Sequence, residues 1–147
     1  QQLIAESLGK KSKGFLPVIS NVPKDHHSLL QLYLDGPKDK LFCIFSHDKN
    51  SKEKIESNDN LIKSHFLNKK KLYEIKNAQI KALSRTLKEK NIPFRKFKIK
   101  KNTESVLGEL FAYFMLETII VGELANINPY DQPAVERVKI LTKKMLK

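Results

Sequence analysis

Three short apolar runs alternate with stretches of helical periodicity, and this alternation limits the folds that the chain can adopt. The runs are GFLPVIS at residues 14–20, KLFCIFSH at 40–47 and IPFRKFKIK at 92–100. Each has the length of a strand, and the first two are apolar enough to be buried. Buried strands separated by helices are typical of parallel sheets. The sequence therefore predicts an α/β fold, a three-layer sandwich with a mainly parallel sheet.

The helices between these runs are marked by apolar periodicity and by residues that begin or end a helix. Gly9 ends the first helix, Asp25 caps the second, and Gly36 ends it. The polar stretch at 46–60 is predicted to be a mobile insert. The predicted helices cover residues 1–9, 25–36, 66–90, 103–124 and 133–147.

Length and composition indicate one domain. A chain of 147 residues can bury a core without disulfides or metals. The single cysteine, Cys43, lies in the run LFCIF and is predicted to be a buried structural thiol. The apolar stretch from Leu110 to Val121 is interrupted by Glu117 and is predicted to be too short to span a bilayer. Because the opening QQLIAESLGK lacks an initiator methionine, we expect residues 1–147 to be one domain of a longer protein. No basic and apolar signal segment opens the sequence, so we expect that protein to be cytoplasmic, without a membrane partner.

The basic charge of the chain raises the possibility of an anionic partner. Lysine and arginine number 28 against 16 acidic residues, which gives a net charge of +12. Arginine occurs only at Arg85, Arg95 and Arg137, and no aromatic side chains are interleaved for stacking on bases. The lysine-rich helix at 66–90 has the ordinary pattern of one solvated face and one core face. We therefore expect no nucleic-acid partner, and a basic nucleic-acid-binding domain is kept as an alternative.

Residues capable of proton transfer lie at the ends of the predicted elements. Ligands of α/β folds gather at the carboxyl ends of strands and the amino ends of helices. Three stretches are placed there: QQLIAES, NVPKDHHSLL and INPYDQPAVERVK. No Cys or His spacing fits a metal-ligand set, so neither a metal nor a cofactor is predicted. The stretches offer the carboxylate of Glu6, a histidine (His26 or His27), the ammonium of Lys139 and the amides of Gln2 and Gln132.

Two of these stretches carry a resemblance to a known family. GFLPVISNVPKDHHSLLQLYLDGPKDK together with INPYDQPAVERVK closely resembles the C-terminal half of the glucose-6-phosphate isomerase family, particularly its bacterial branch. The family signature is an aromatic residue, Asp or Asn, Gln, any residue, Gly, Val, Glu, two residues of any kind and Lys. The segment from Tyr130 to Lys139 fits it, except that Ala134 replaces the glycine. The resemblance implies a sugar-isomerase (SIS) domain.

The resemblance also implies a role for each candidate residue. In QLIAESLGK it identifies Glu6 as the catalytic base and Gln2 as a substrate-binding amide, although Leu8 replaces an asparagine seen in many members. The family's ring-opening histidine precedes a small residue, which selects His27 over His26. The remaining implied residues are Gln132, which binds substrate, and Lys139, which assists ring opening by stabilising negative charge.

The implied reaction interconverts glucose 6-phosphate and fructose 6-phosphate through ring opening and an enediolate, a step of glycolysis and gluconeogenesis. The phosphate-binding loop and the glycine-arginine signature belong to the family's N-terminal half, and nothing in this chain resembles them, so the fragment alone is expected to be inactive. The family forms homodimers in which the histidine serves the neighbouring subunit, and the same is expected of His27. A non-catalytic sugar-phosphate-binding SIS module is the other alternative.

Overall fold

A two-stranded parallel sheet and six helices make up the described part of the computed structural model, which comprises residues 1–47, 52–56 and 65–147. The α/β class predicted from the sequence is confirmed. The chain divides into two compact units, one formed by Gln1–Ser20 with Glu104–Lys147 and the other by Asn21–Thr103. In chain order the elements are α1 (Gln2–Leu8), α2 (Lys24–Ser28), α3 (Leu30–Asp35), β1 (Phe42–His47), α4 (Leu72–Glu89), β2 (Phe94–Ile99), α5 (Glu104–Leu124) and α6 (Pro133–Met145).

The sheet of the Asn21–Thr103 unit pairs β1 with β2 in parallel, in a register that runs from Phe42 opposite Phe94 to His47 opposite Ile99. Burial alternates along β1, so one face of this strand is half-buried and the other is exposed. Cys43 is on the exposed face, where its sulfur accepts a hydrogen bond of 3.1 Å from Arg95 Nε. The prediction of a buried thiol was wrong, because the continuous apolar run suggested burial on both faces.

Helix α4 supplies the most buried side chain described in the structure. Leu87 is 0% exposed, and Ile92, after the helix, is also buried. The helix begins at Leu72, where the backbone N–H of Lys71 donates to the Glu74 carboxylate at 2.8 Å. The predicted start near residue 66 was wrong because Lys69 has a φ of 60°, a left-handed conformation that a right-handed helix cannot contain.

The strand predicted at residues 14–20 was wrong. This segment has no regular secondary structure, and Phe15 and Leu16 are exposed. Pro17 lacks the N–H that a paired strand would donate, and within the described ranges only β1 and β2 form a ladder. An apolar run of strand length therefore did not suffice to make a strand.

The helix predicted at 25–36 is divided at Leu29 into α2 and α3. Leu29 stays in the right-handed region, with a ψ of −18°, but its φ of −118° departs from regular helix geometry. The other long helices agree with prediction: α5 was expected at 103–124 and α6 at 133–147. Eight of the fifteen residues of the insert predicted at 46–60, namely 48–51 and 57–60, lie outside the described residues. Within the described part, Ser46 and His47 belong to β1.

In the other unit, α1 packs against α5, and the chain folds back at the end of α5. The backbone N–H of the buried Ile127 donates to the Gly122 carbonyl at 2.8 Å. A β-carbon at Gly122 would lie 3.1 Å from the Ile127 carbonyl oxygen, so glycine permits this close approach. The fold-back directs residues 125–132 toward the end of α1, where Lys10 contacts them.

Helix α5 contains the apolar stretch from Leu110 to Val121 and extends beyond it at both ends. The stretch was predicted to be too short to span a bilayer, but the 21 residues of the whole helix are long and apolar enough to cross one by length and composition. A single such helix is weak evidence for a membrane, because core helices of soluble proteins satisfy the same criterion. Most of its large apolar side chains, including Phe111, Leu116 and Ile120, are exposed in this chain.

Replacing Leu87 by alanine should remove the packing of a fully buried side chain and lower the free energy of unfolding by about 2–5 kcal/mol. The measurement is urea denaturation of the protein. Leu41, which is 59% exposed, gives the matched control, and Leu41→Ala should cost under about 1 kcal/mol. Equal losses in the two variants would contradict the placement of Leu87 in the core.

The ion pair between Lys90 and Asp35 links the ends of α4 and α3. The hydrogen bond from Lys90, assisted by that from Gln31, lowers the pKa of Asp35 below its ordinary value. Because the folded-state pKa is the lower one, this contribution to stability is present above the unfolded-state pKa and is lost as the pH falls through the folded value.

Lys90→Met should therefore raise the pKa of Asp35 toward its ordinary value, measured by an NMR titration of the carboxyl carbons. The control is Asp39 in the same variant, since the hydrogen bond that lowers its pKa comes from Lys40. An Asp35 pKa that does not move would show that Lys90 does not set it.

Candidate functional site

The candidate site centres on the Glu6 carboxylate, which accepts one hydrogen bond on each of its two oxygens. Gln2 Nε2 donates to Oε1 at 3.0 Å, and Gln132 Nε2 donates to Oε2 at 3.3 Å. Gln2 and Glu6 are four residues apart on α1, a spacing that places both on one face of the helix. The structure thus brings together three of the five residues predicted from the sequence.

Gln132 is placed by the start of α6. It occupies the N-cap position, and Pro133 fills the first helical position, where a missing N–H costs nothing. The preceding loop is held by Asn128, whose side-chain Oδ1 accepts a hydrogen bond from the Tyr130 N–H at 3.0 Å. The backbone of Gln132 is therefore fixed relative to α6 by local structure, and its side chain is free of a cap hydrogen bond to α6.

Lysines after α1 attach this loop to α1. Lys10 Nζ donates to the Asn128 carbonyl at 2.6 Å and lies 3.0 Å from Asp131 Oδ1. Lys13 Nζ donates to the Ala125 carbonyl at 2.7 Å. The sequence analysis included Lys10 and Asp131 only within the segments QLIAESLGK and Tyr130–Lys139 and missed their pairing. The one signal was that each is close in sequence to a predicted site residue.

Lys139 is not joined to the Glu6 carboxylate. It lies on α6, two turns beyond Gln132, and its Nζ is 2.6 Å from Glu136 Oε1 on the same helix. Its side chain is 64% exposed. In this chain the ammonium is available at the surface, and the hydrogen-bond donors to Glu6 are the two amides.

His27 lies in the other unit, on the five-residue helix α2. Its side chain is exposed, whereas that of His26 is half-buried. The Asp25 carboxylate accepts a hydrogen bond from the Asn21 N–H and so orders the turn that leads into α2. Glu6 and His27 thus belong to different compact units of the chain.

The chemistry available to the Glu6 cluster is proton transfer by an oriented carboxylate. Two neutral amides fix the plane of the carboxylate without supplying a competing charge, and the side chain of Glu6 remains exposed to a ligand. No group of three or more His, Cys, Asp or Glu side chains that could hold a metal ion occurs among residues 1–47, 52–56 and 65–147.

Several curated proteins that share the name glucose-6-phosphate isomerase align with almost the whole chain. It is 40% identical over 136 residues to the probable glucose-6-phosphate isomerase of Methanococcus maripaludis, an alignment that covers 92% of this chain and 30% of the relative. It is 36% identical over 151 residues to the glucose-6-phosphate isomerase of Methanocaldococcus jannaschii, covering 100% and 36%. The chain is homologous to part of the glucose-6-phosphate isomerases. The predicted resemblance to glucose-6-phosphate isomerase is therefore confirmed.

The fold supports the same relationship. A crystal structure of a hypothetical protein from Thermus thermophilus superimposes with a TM-score of 0.83 at 31% identity, over 99% of this chain and 36% of that chain. No family model matches the chain. The chain spans about a third of the length of the glucose-6-phosphate isomerases that it matches. All five predicted site residues fall within the alignment to the M. jannaschii protein.

Proposed function

We propose that this chain is the C-terminal sugar-isomerase (SIS) domain of a cytoplasmic glucose-6-phosphate isomerase. The full-length enzyme interconverts glucose 6-phosphate and fructose 6-phosphate in glycolysis and gluconeogenesis. The observation that carries the proposal is the pair of hydrogen bonds to Glu6. Gln132, 126 residues away in sequence, and Gln2 converge on the one carboxylate that the family resemblance assigns as the base.

Glu6 moves the proton of the isomerisation step. Once the sugar ring is open, the carboxylate takes the proton from C2 of glucose 6-phosphate, which leaves an enediolate. The hydroxyl proton on O2 passes to O1, and the carboxyl group returns its proton to C1 to give fructose 6-phosphate. Gln2 and Gln132 hold the carboxylate plane in place, and their amides also orient substrate hydroxyls. Glu6 accepts the proton from C2 and donates it to C1, so the enzyme carries the same charge before and after the reaction.

Ring opening is assigned to His27 and Lys139. An imidazole can donate and accept a proton near neutral pH, as opening of the hemiacetal requires. The Lys139 ammonium stabilises negative charge on the sugar oxygens. Its present ion pair with Glu136 is exposed, and pairs of this kind contribute only about 0–1 kcal/mol, so exchanging Glu136 for a substrate oxygen costs little.

The proposal includes two further partners, the N-terminal half of the same enzyme and a second subunit. The chain matches about a third of the length of its relatives, and the large exposed apolar surface of α5 favours coverage by additional protein. In a homodimer, His27 would serve the site that contains the neighbouring subunit's Glu6. The isolated chain would lack the phosphate-binding loop and so be inactive.

Glu6→Gln in the complete product of the gene that encodes this chain should lower the rate of glucose 6-phosphate formation from fructose 6-phosphate by about a thousandfold, within the range expected for loss of a general base. A coupled assay measures this rate. Glu89→Gln, on the lysine-rich helix α4, is the matched control and should keep full activity. A parent protein that binds sugar phosphates without converting them would instead support a non-catalytic SIS module.

Mixing the inactive variants Glu6→Gln and His27→Ala under conditions that exchange subunits should restore activity. Random reassociation makes about half of the dimers hybrids, each with one intact site of two, so recovery should approach about a quarter of the parental activity. Replacing His27→Ala by His26→Ala tests the alternative histidine, because a His26→Ala parent should already be active. A mixture no more active than its parents would contradict a shared site.

A further inference from the structure

Lys10 makes contacts unlike those of the surface lysines around it. Its side chain is 9% exposed, and its ammonium has two acceptors, the Asn128 carbonyl at 2.6 Å and the Asp131 carboxylate at 3.0 Å. A charged group removed from water is stable only where it is paired and hydrogen-bonded, which these two contacts provide. Asp131 itself is 56% exposed, so the desolvated member of the pair is the lysine.

The Lys10 contacts join the same two chain segments as the Glu6 cluster. Lys10 follows Glu6 by four residues, and Asp131 immediately precedes Gln132. The ion pair and the hydrogen bond from Gln132 to Glu6 are therefore two adjacent cross-links between the end of α1 and the loop before α6. Gln2 needs no such cross-link, because it lies on α1 with Glu6.

The backbone after α1 is folded so that Lys10 faces this loop. Lys11 and Ser12 have φ angles of 54° and 58°, two consecutive left-handed residues that reverse the chain. Gly14 has a φ of 122°, and a β-carbon there would lie 2.6 Å from the Leu8 carbonyl oxygen, so the return path requires glycine. A short, rigid reversal of this kind holds the base of the Lys10 side chain next to α1.

We infer that Lys10 is a positioning residue, which acts through Asp131 and the Asn128 carbonyl to hold the Gln132 amide on the Glu6 carboxylate. This inference rests on the proposed isomerase function. Without the Lys10 ammonium, the loop loses its contacts at Asn128 and Asp131. The contact that Lys13 makes lies further from Gln132 in sequence, at the Ala125 carbonyl. Loss of Lys10 should therefore have the effect of losing Gln132, and leave the Gln2 contact unchanged.

The test is a pair of double-mutant cycles in the full-length gene product, measured as kcat/KM with fructose 6-phosphate. Lys10→Met should lower kcat/KM about 10- to 100-fold, the scale expected when a reacting group is misplaced by about 1 Å. The loss of kcat/KM in the Lys10→Met and Gln132→Ala double variant should be smaller than the product of the two single losses, because both changes remove the hydrogen bond from Gln132 to Glu6. The losses of kcat/KM caused by Lys10→Met and by Gln2→Ala should multiply in the double variant, because the Gln2 contact lies within α1 and does not depend on Lys10. Independent, multiplying effects of Lys10→Met and Gln132→Ala would overturn the inference.

Matched variants separate positioning from simple loss of stability. Lys13→Met removes a lysine-to-carbonyl hydrogen bond of similar length in the same unit and should change kcat/KM less than about twofold. Lys10→Arg should recover part of the loss, because a guanidinium can still pair with Asp131. Should Lys10→Met fail to fold, Asp131→Ala tests the same ion pair. It should lower kcat/KM by a smaller factor, because Lys10 keeps its contact with the Asn128 carbonyl, and this loss should also fail to multiply with that of Gln132→Ala. An Asp131→Ala variant with parental kinetics would then overturn the inference.

A crystal structure of the Lys10→Met protein gives a readout that does not depend on turnover. The Gln132 amide should leave Glu6 Oε2, while the Gln2 amide stays on Oε1. Gln132 remaining within hydrogen-bond distance would overturn the positioning role even in an active enzyme. An inactive parent protein whose Lys10→Met variant releases Gln132 would instead refute the isomerase function and leave the positioning role in place.

Discussion

The candidate site depends on how the two oxygens of Glu6 obtain their donors. One donor comes from the same helix, and its spacing of four residues needs no tertiary structure. The other comes from Gln132, and it reaches Glu6 only because the chain reverses after α5 and passes the end of α1. The close approach of Ile127 to Gly122 and the ammonium of Lys10 are the contacts that hold this return path. The hydrogen bond from Gln132 to Glu6 thus depends on the long-range path of the chain.

Much of the secondary structure followed from local pattern, and the errors have identifiable physical causes. The strands β1 and β2 and the long helices were predicted because their apolar periodicity agrees with their final conformation. The segment 14–20 was equally apolar, but a strand also needs a partner, and pairing is not a local property. Cys43 was misplaced for a related reason, because burial of each sheet face depends on what packs there. The break at Leu29 falls at the first residue of the apolar pattern, and no breaker residue there predicted it.

The site residues were predictable by type and motif, but their contacts were not. Gln2, Glu6 and Gln132 were named from motifs at the two ends of the sequence, and the structure joins them. The pair formed by Lys10 and Asp131 could not be predicted, since it requires the left-handed residues Lys11 and Ser12 to turn the chain, and neither is a residue type that favours that conformation. Among 28 basic residues, the sequence alone does not single out one lysine as the residue that forms a buried ion pair. Only the desolvation of Lys10 distinguishes it, and burial is a property of the fold.

The surface of helix α5 bears on the proposal that this chain is part of a longer protein. One part of its surface is already committed to protein, because Thr118 and Gly122 are buried and Gly122 receives the hydrogen bond from Ile127. The apolar side chains around the rest of the helix, among them Phe111 and Ile120, are exposed here, and a helix that is apolar on all sides is stable when it is covered on all sides. The relatives are about three times as long as this chain, and cover by the rest of the proposed full-length enzyme would account for both the buried and the exposed surfaces of α5.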